Sequence, residues 1–157
     1  MIRLIVRALV AVLVLGGCSG SGPGNAPPTI AIGPIEVTSV PCSPCKGDQC
    51  LPCRGPLLYS LTASVSISNS GAHVVAVRTA SVELRQNGAV TTGGAEAPSV
   101  GSVPAQIPSK SSLQLEFKIQ VLDGASPAHS IVRASATGAY DDGMSWQAFA
   151  ELAVPYP

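Results

Sequence analysis

Four cysteines carry the most concentrated chemistry in this sequence. Cys42, Cys45, Cys50 and Cys53 stand in PCSPCKGDQCLPC (residues 41–53) with the spacing C-x2-C-x4-C-x2-C. Thiols this close together have three uses. In an oxidising compartment an even count pairs into two structural disulfides, which would tie a loop containing Pro and Gly into a compact knob; three connectivities satisfy the count. As thiolates, four cysteines suit a tetrahedral Zn²⁺, and two C-x2-C units are the usual supply. Against zinc stand a middle spacer much shorter than that of zinc ribbons and the competition of oxidation for the thiols. A C-x2-C pair can also exchange disulfides, but such motifs usually open a helix, and this one lies between strand-like segments. Haem attachment needs His directly after the second Cys, and Lys46 and Arg54 hold those places. Disulfides are the leading expectation and zinc the alternative, with no resident metal or cofactor expected.

The compartment follows from the fifth cysteine and what precedes it. Residues 1–18 read MIRLIVRALVAVLVLGGC. Arg3 and Arg7 make a positive start, Ala8 to Leu15 is an unbroken apolar run, and Gly16 and Gly17 are small. This is the pattern of a secretion signal, with an apolar core too short to remain as a membrane-spanning helix. Leu15-Gly16-Gly17-Cys18 resembles the lipobox of bacterial lipoproteins. That resemblance implies that residues 1–17 are removed, that Cys18 takes a diacylglyceryl group on sulfur, and that its new amino group is usually acylated. Two or more chains hold a protein stably on a bilayer, whereas one holds it marginally. Ser19 follows the cysteine; in Gram-negative lipoproteins a residue other than Asp there usually implies the outer membrane. Residues 19–28, SGSGPGNAPP, have no apolar period and are expected to be a flexible spacer.

Nothing else in the chain assembles a reaction. His73 and His129 lie at expected loop or strand edges, and no G-x-S-x-G elbow accompanies them, so both are read as solvent-exposed rather than as members of a hydrolase triad. Asp141-Asp142-Gly143 lacks the dense Asp/Asn/Gly pattern of a Ca²⁺ loop and is read as a plain turn. The glutamates at 36, 83, 96, 116 and 151 are scattered, with no close pair suited to glycoside hydrolysis. Trp146 and Tyr140 are expected in the core, because the chain has few aromatics with which to fill one; the alternative is that they edge a binding surface. Arg3 and Arg7 lie in the leader, which leaves seven basic against nine acidic residues and a formal charge of −2. No Lys/Arg stripe is present, so nucleic acid is not an expected partner.

The segments that must position these residues read as strands. Charged residues are 11% of the chain, and small and β-branched residues dominate it. Thr29 to Val40 gives a first strand, with a bulge or bend at Gly33-Pro34. From Tyr59 to Asn69, Tyr59, Leu61, Ala63, Val65 and Ile67 alternate with hydroxyl residues, the period of a half-buried strand. Val74 to Gln86 follows, with Ala80, Val82 and Leu84 in phase. Asn87-Gly88 then marks a hairpin turn and Ala89 to Thr92 a short return. Gly93 to Pro108 reads as a loop with one short edge strand near Val100–Val103. In Ser112 to Leu122 the residues Leu113, Leu115, Phe117, Ile119 and Val121 face inward. Ile131 to Tyr140 and Met144 to Val154 make a last hairpin, its return strand carrying Trp146, Ala148, Ala150, Leu152 and Val154 on one face and Phe149 on the other.

The expected fold is therefore all-β, an antiparallel β-sandwich of about seven or eight strands over residues 29–157, with a Cys-rich loop at 41–54 after the first strand. Its layout is similar to the immunoglobulin-like and fibronectin-III-like domains common on exported bacterial proteins, although the Cys…Trp…Cys core of antibody domains is absent. The expected function is a non-catalytic interaction or structural module at the cell envelope, held to the membrane by its lipid and meeting an envelope protein or glycan. The alternative is a zinc-binding or redox-active lipoprotein that uses the four clustered cysteines.

Overall fold

The computed structural model describes residues 26–40, 58–90, 95–121 and 129–155. The expected signal, Cys18, most of the spacer and the Cys-rich loop lie outside the described residues. Eight strands run in chain order: β1 (Thr29–Val40), β2 (Leu58–Asn69), β3 (Val75–Gln86), β4 (Ala89–Val90), β5 (Ala105–Ile107), β6 (Ser111–Val121), β7 (Ser130–Tyr140) and β8 (Ser145–Ala153). One sheet has the order β1-β2-β6, and the other has β4-β3-β7-β8 with β5 also paired to β3. Every pairing between these strands is antiparallel. No helix long and apolar enough to cross a membrane occurs among the described residues.

Alternation builds the core. Leu61, Ala63, Val65 and Ile67 of β2 meet Leu115, Phe117 and Ile119 of β6 and Ile30, Ile32 and Ile35 of β1, all buried. They face Val75, Val77, Ala80, Val82 and Leu84 of β3 and Val132, Ala134 and Ala136 of β7. Because strand side chains alternate strictly, an inserted residue switches the face that looks inward. Two such switches occur. In β1 the buried set passes from Ile30 and Ile32 to Ile35 where the register shifts across Gly33-Pro34, as the sequence suggests. In β3 it passes from Val75 and Val77 to Ala80, Val82 and Leu84, because Arg78 is the extra residue between the pairs Val77↔Gly138 and Thr79↔Thr137. The second bulge is not marked by Gly or Pro.

The stretch between β4 and β6 departs from the sequence reading. Its short strand is β5 at Ala105–Ile107, not Val100–Val103; Val100 instead makes a single bridge to Glu116 of β6. The chain is bonded to β3 through Ala95 and Val82 at 2.8 Å in both directions. It crosses to β6 through Ser99 and Val100, then returns to β3 as β5. It thus straps together two strand edges that would otherwise be open. Gly101 (φ 84°) permits the crossing, since a Cβ there would lie 2.7 Å from the Gln114 carbonyl and from Leu115. The return after Asn87-Gly88 is described only over Ala89–Val90. Phe149 is half-buried on the outer face of β8, where the Arg133 guanidinium lies 4.3 Å from its ring centroid; a side chain rather than another layer covers it.

Register fixes the two ends of the sandwich. Thr29 pairs with Ser68, which pairs with Ser112, and Val75 pairs with Tyr140 and Ile107. These rows make the proximal pole, where β1 begins. Val40 pairs with Leu58, Tyr59 with Val121, and Gln86 with Ser130 and Ala89. These make the distal pole.

Candidate functional site

The four clustered cysteines fall in residues 41–57, outside the described residues, as does Cys18. What is described is the base of their segment. Val40 and Leu58 are direct partners in the β1–β2 ladder, so the chain leaves and returns at neighbouring points on the distal pole. Both ends of the cysteine-bearing connection are thereby held before any thiol chemistry is considered.

The proximal pole holds the densest polar cluster among the described residues. Its centre is Asn69, at the end of β2 and only 1% exposed. Its Nδ2 donates to the carbonyls of His73 (2.7 Å), Ile107 (3.1 Å) and Pro108 (3.1 Å), while its Oδ1 accepts from the Gly71 amide (3.0 Å). One side chain thus satisfies backbone groups of the β2–β3 turn and of the β5–β6 turn, groups that would be costly to bury unpaired. Ser109 Oγ adds a bond to the Gly71 carbonyl at 2.7 Å. The sequence carries a signal for this hub: Asn69 continues the inward phase of Leu61 to Ile67, where a polar residue is out of place unless it is bonded.

His73 leaves this hub toward Asp141, with Nδ1 3.0 Å from Oδ2 and both side chains about half exposed. The exposure agrees with the sequence reading; the carboxylate partner was not foreseen, because it comes from the β7–β8 turn. Two hydroxyls beside the hub bond backbone, Ser109 the Gly71 carbonyl and Ser111 Oγ the Ser109 carbonyl at 3.4 Å, while Ser68 and Ser112 bond each other. A His–Asp pair becomes a triad only with a nucleophile on its free imidazole side. His129 (φ 60°) is at the other pole, just before β7, so the two histidines do not meet.

Asp141-Asp142-Gly143 is a turn. The Gly143 amide bonds the Tyr140 carbonyl at 3.1 Å, the Tyr140 amide bonds the Met144 carbonyl at 2.9 Å, and Gly143 takes the positive φ that closes such a loop. Asp142 Oδ1 accepts from the Met144 amide at 2.9 Å. Tyr140 and Trp146 are buried, as expected for core. Burial pushes the Tyr140 phenol above its ordinary 10.0, and the Asp142 charge pushes it the same way. The Trp146 indole lies against Gly138, where a Cβ would come within 2.6 Å of two of its ring carbons. Its buried Nε1 has no hydrogen-bond partner among the described residues.

The scattered glutamates serve the surface. Glu83 Oε1 meets Arg85 Nε at 2.7 Å and Glu151 Oε1 meets Arg133 Nη1 at 3.6 Å. Glu116, on β6, accepts the strap's Ser99 hydroxyl at its backbone carbonyl (3.0 Å), and Glu36 sits on the outer face of β1. Among the described residues no three His, Cys, Asp or Glu side chains converge as metal ligands.

The outer face of the three-stranded sheet is built of hydroxyls and amides. Its cross-strand rows run Thr29–Ser68–Ser112, Ala31–Ser66–Gln114, Glu36–Thr62–Lys118 and Thr38–Ser60–Gln120. Ser68 and Ser112 share a 2.9 Å bond, and Gln114 Nε2 donates to Ser66 Oγ at 2.9 Å.

The chain matches no known family and no curated protein. Its fold is similar to that of two solved structures. One is the Northeast Structural Genomics Consortium target SoR45, with a TM-score of 0.52 and 16% identity over 81% of this chain and 88% of that one. The other is a Bordetella pertussis protein designated ApaA, with a TM-score of 0.50 and 17% identity over 83% of this chain and 98% of that one. At this identity the likeness is one of fold alone.

Proposed function

We propose that the protein is a bacterial lipoprotein whose β-sandwich serves as a non-catalytic interaction or structural module at the cell envelope. The observation that carries the reading is the order of residues at the start of the chain: Arg3 and Arg7, the apolar run Ala8 to Leu15, two glycines and Cys18. Lipid on Cys18 holds the domain to a membrane, the outer one in a Gram-negative cell, and the stretch between Cys18 and Ala26, the part of the expected 19–28 spacer that precedes the packed Ala26 and Pro28, stands it off the surface. An immunoglobulin-like or fibronectin-III-like class is part of the proposal. It is supported by the strand order β1-β2-β6 against β3-β7-β8, which corresponds to strands A, B and E facing C, F and G of such sandwiches. Envelope proteins and glycans are the partners such a module would meet.

The test is chemical. Cys18→Ala should abolish the fatty mass on the mature chain and release the protein from membranes. Retention of that variant after a high-salt wash, or native material with an unprocessed start, overturns the reading.

For the clustered cysteines we propose two disulfides among Cys42, Cys45, Cys50 and Cys53, as an exported chain allows. Native protein denatured without reductant should then show no free thiol. Four free thiols with one zinc atom per chain would establish the metal-binding alternative instead.

A further inference from the structure

We infer that the domain stands toward the lipid headgroup surface on its proximal pole and presents its distal pole to the aqueous space beyond. This inference rests on the anchoring of Cys18 proposed above. The strand β1 carries it. Thr29 starts β1 at the proximal pole and Val40 ends it at the distal pole. Their partners on the regular strand β2, Ser68 and Leu58, are ten steps of about 3.3 Å apart, a span of about 33 Å.

The chain is fixed to the proximal pole before β1 begins. Pro28 is buried, and Ala26 lies over the β2–β3 turn, its carbonyl oxygen 3.7 Å and its amide nitrogen 3.9 Å from where a Gly71 Cβ would be. Eight links of chain separate Cys18 from Ala26. Those eight links reach at most about 29 Å when fully extended. The proximal pole stays within about 29 Å of the headgroups, whereas the distal pole can stand a full strand length further out.

The flanks give the domain little reason to lie down. Lipid surfaces attract basic clusters or broad apolar faces. The outer face of the three-stranded sheet offers hydroxyls and amides, and its exposed Lys118 shares a row with Glu36. On the other sheet Glu83, Arg133 and Glu151 form one row, with the cation between two acids. Neither flank is basic or apolar overall. The exposed large apolar side chains sit near the ends or on the strap: Val74 and Met144 at the proximal pole, Val90 and Ile131 at the distal pole, and Val100 between. Val40 and Leu58, the paired ends between which the cysteine-bearing residues run, then lie at the pole away from the membrane.

The test uses full-length lipidated protein in vesicles with nitroxide on a fraction of the headgroups. A fluorophore is coupled through a keto amino acid, placed at Val74 in one preparation and at Val90 in another. Neither label depends on the native thiols. Quenching by the headgroup nitroxide should be several-fold stronger at 74 than at 90. A second pair, Met144 and Ile131, repeats the measurement should either first variant fold poorly. Equal quenching at the two poles, or stronger quenching at 90, with the protein still floating with the vesicles, overturns the orientation and leaves the anchor intact. Protein that does not float with the vesicles overturns the anchor, and the orientation with it.

Discussion

At the proximal pole the turns are held by side chains. Asn69 binds four backbone groups, Ser109 binds a fifth, Asp142 caps the amide of Met144, and His73 meets Asp141 across two turns. At the distal pole the described turn depends on backbone conformation. Asn87 (φ 51°) and Gly88 (φ 79°) adopt the left-handed pair that a two-residue hairpin needs, with nothing within 4 Å of a Cβ built on Gly88. The contrast separates two ways of closing a sandwich. Side-chain hubs fix several connections at once and fail together; a hairpin turn fixes only its own two strands. It also separates roles: on the proposed orientation the rigidly stitched pole meets the anchor and the locally closed pole meets the environment.

The heaviest blow to this comparison is struck beside the hub. Gly138 pairs with Val77 and Trp146, and a Cβ there would lie 1.9 Å from the Ala76 carbonyl oxygen as well as against the indole. Backbone cannot yield as a flexible side chain would. Gly138→Ala should cost about 3 kcal/mol, the top of the range for overpacking, read as a lowered denaturation midpoint. A loss under about 1 kcal/mol would show that β3 and β8 separate easily and that the proximal pole is not the rigid one. Next in size comes a direct contest between poles. Asn69→Ala strands one buried and two part-buried carbonyls at two turns and should cost about 2 kcal/mol. Gly88→Ala imposes a left-handed φ on a residue with a Cβ, in open space, and should cost about 1 kcal/mol. Hydrogen exchange distinguishes them further. Asn69→Ala should raise exchange in both 70–74 and 107–110, whereas Gly88→Ala should raise it only around the β3–β4 turn. The reverse ranking breaks the comparison.

How much of this the sequence discloses follows from the range of each interaction. The strands β1, β2, β6, β7 and β8 are legible because a period of two is a local signal, and Asn87-Gly88 and Gly33-Pro34 announce their own geometry. The bulge at Arg78 leaves no such mark; only the change of apolar phase between Val77 and Ala80 betrays it. The strap is misplaced by the sequence because its pairing is chosen by the free edges of β3 and β6, both distant along the chain. Ala105–Ile107 has no stronger strand pattern than Val100–Val103, yet Ile107 fills a core position beside Val75. The His73–Asp141 pair is hidden for the same reason, since two turns become neighbours only when β3 and β7 align. Cys18 and the four clustered cysteines are legible as motifs, and their chemistry rests on the thiol and mass measurements.

The smallest expected effect concerns pH and is read at the proximal pole. Burial and the Asp142 charge both disfavour the Tyr140 phenolate in the folded protein. The folded state therefore keeps a proton that the unfolded chain releases above pH 10.0. Stability from this group is whole below that value and falls as pH rises through it toward the raised folded value. Trp146, the single tryptophan, lies on the adjoining strand and reports the transition by fluorescence. Urea midpoints should decline between about pH 9 and pH 11. Tyr140→Phe should flatten part of that decline, and Asp142→Asn should flatten less of it, since burial is the larger cause. A decline unchanged in Tyr140→Phe would mean that the phenol ionises as freely in the folded protein as in the unfolded chain. The packing that sets this pole apart would then be looser around Tyr140 than around Asn69.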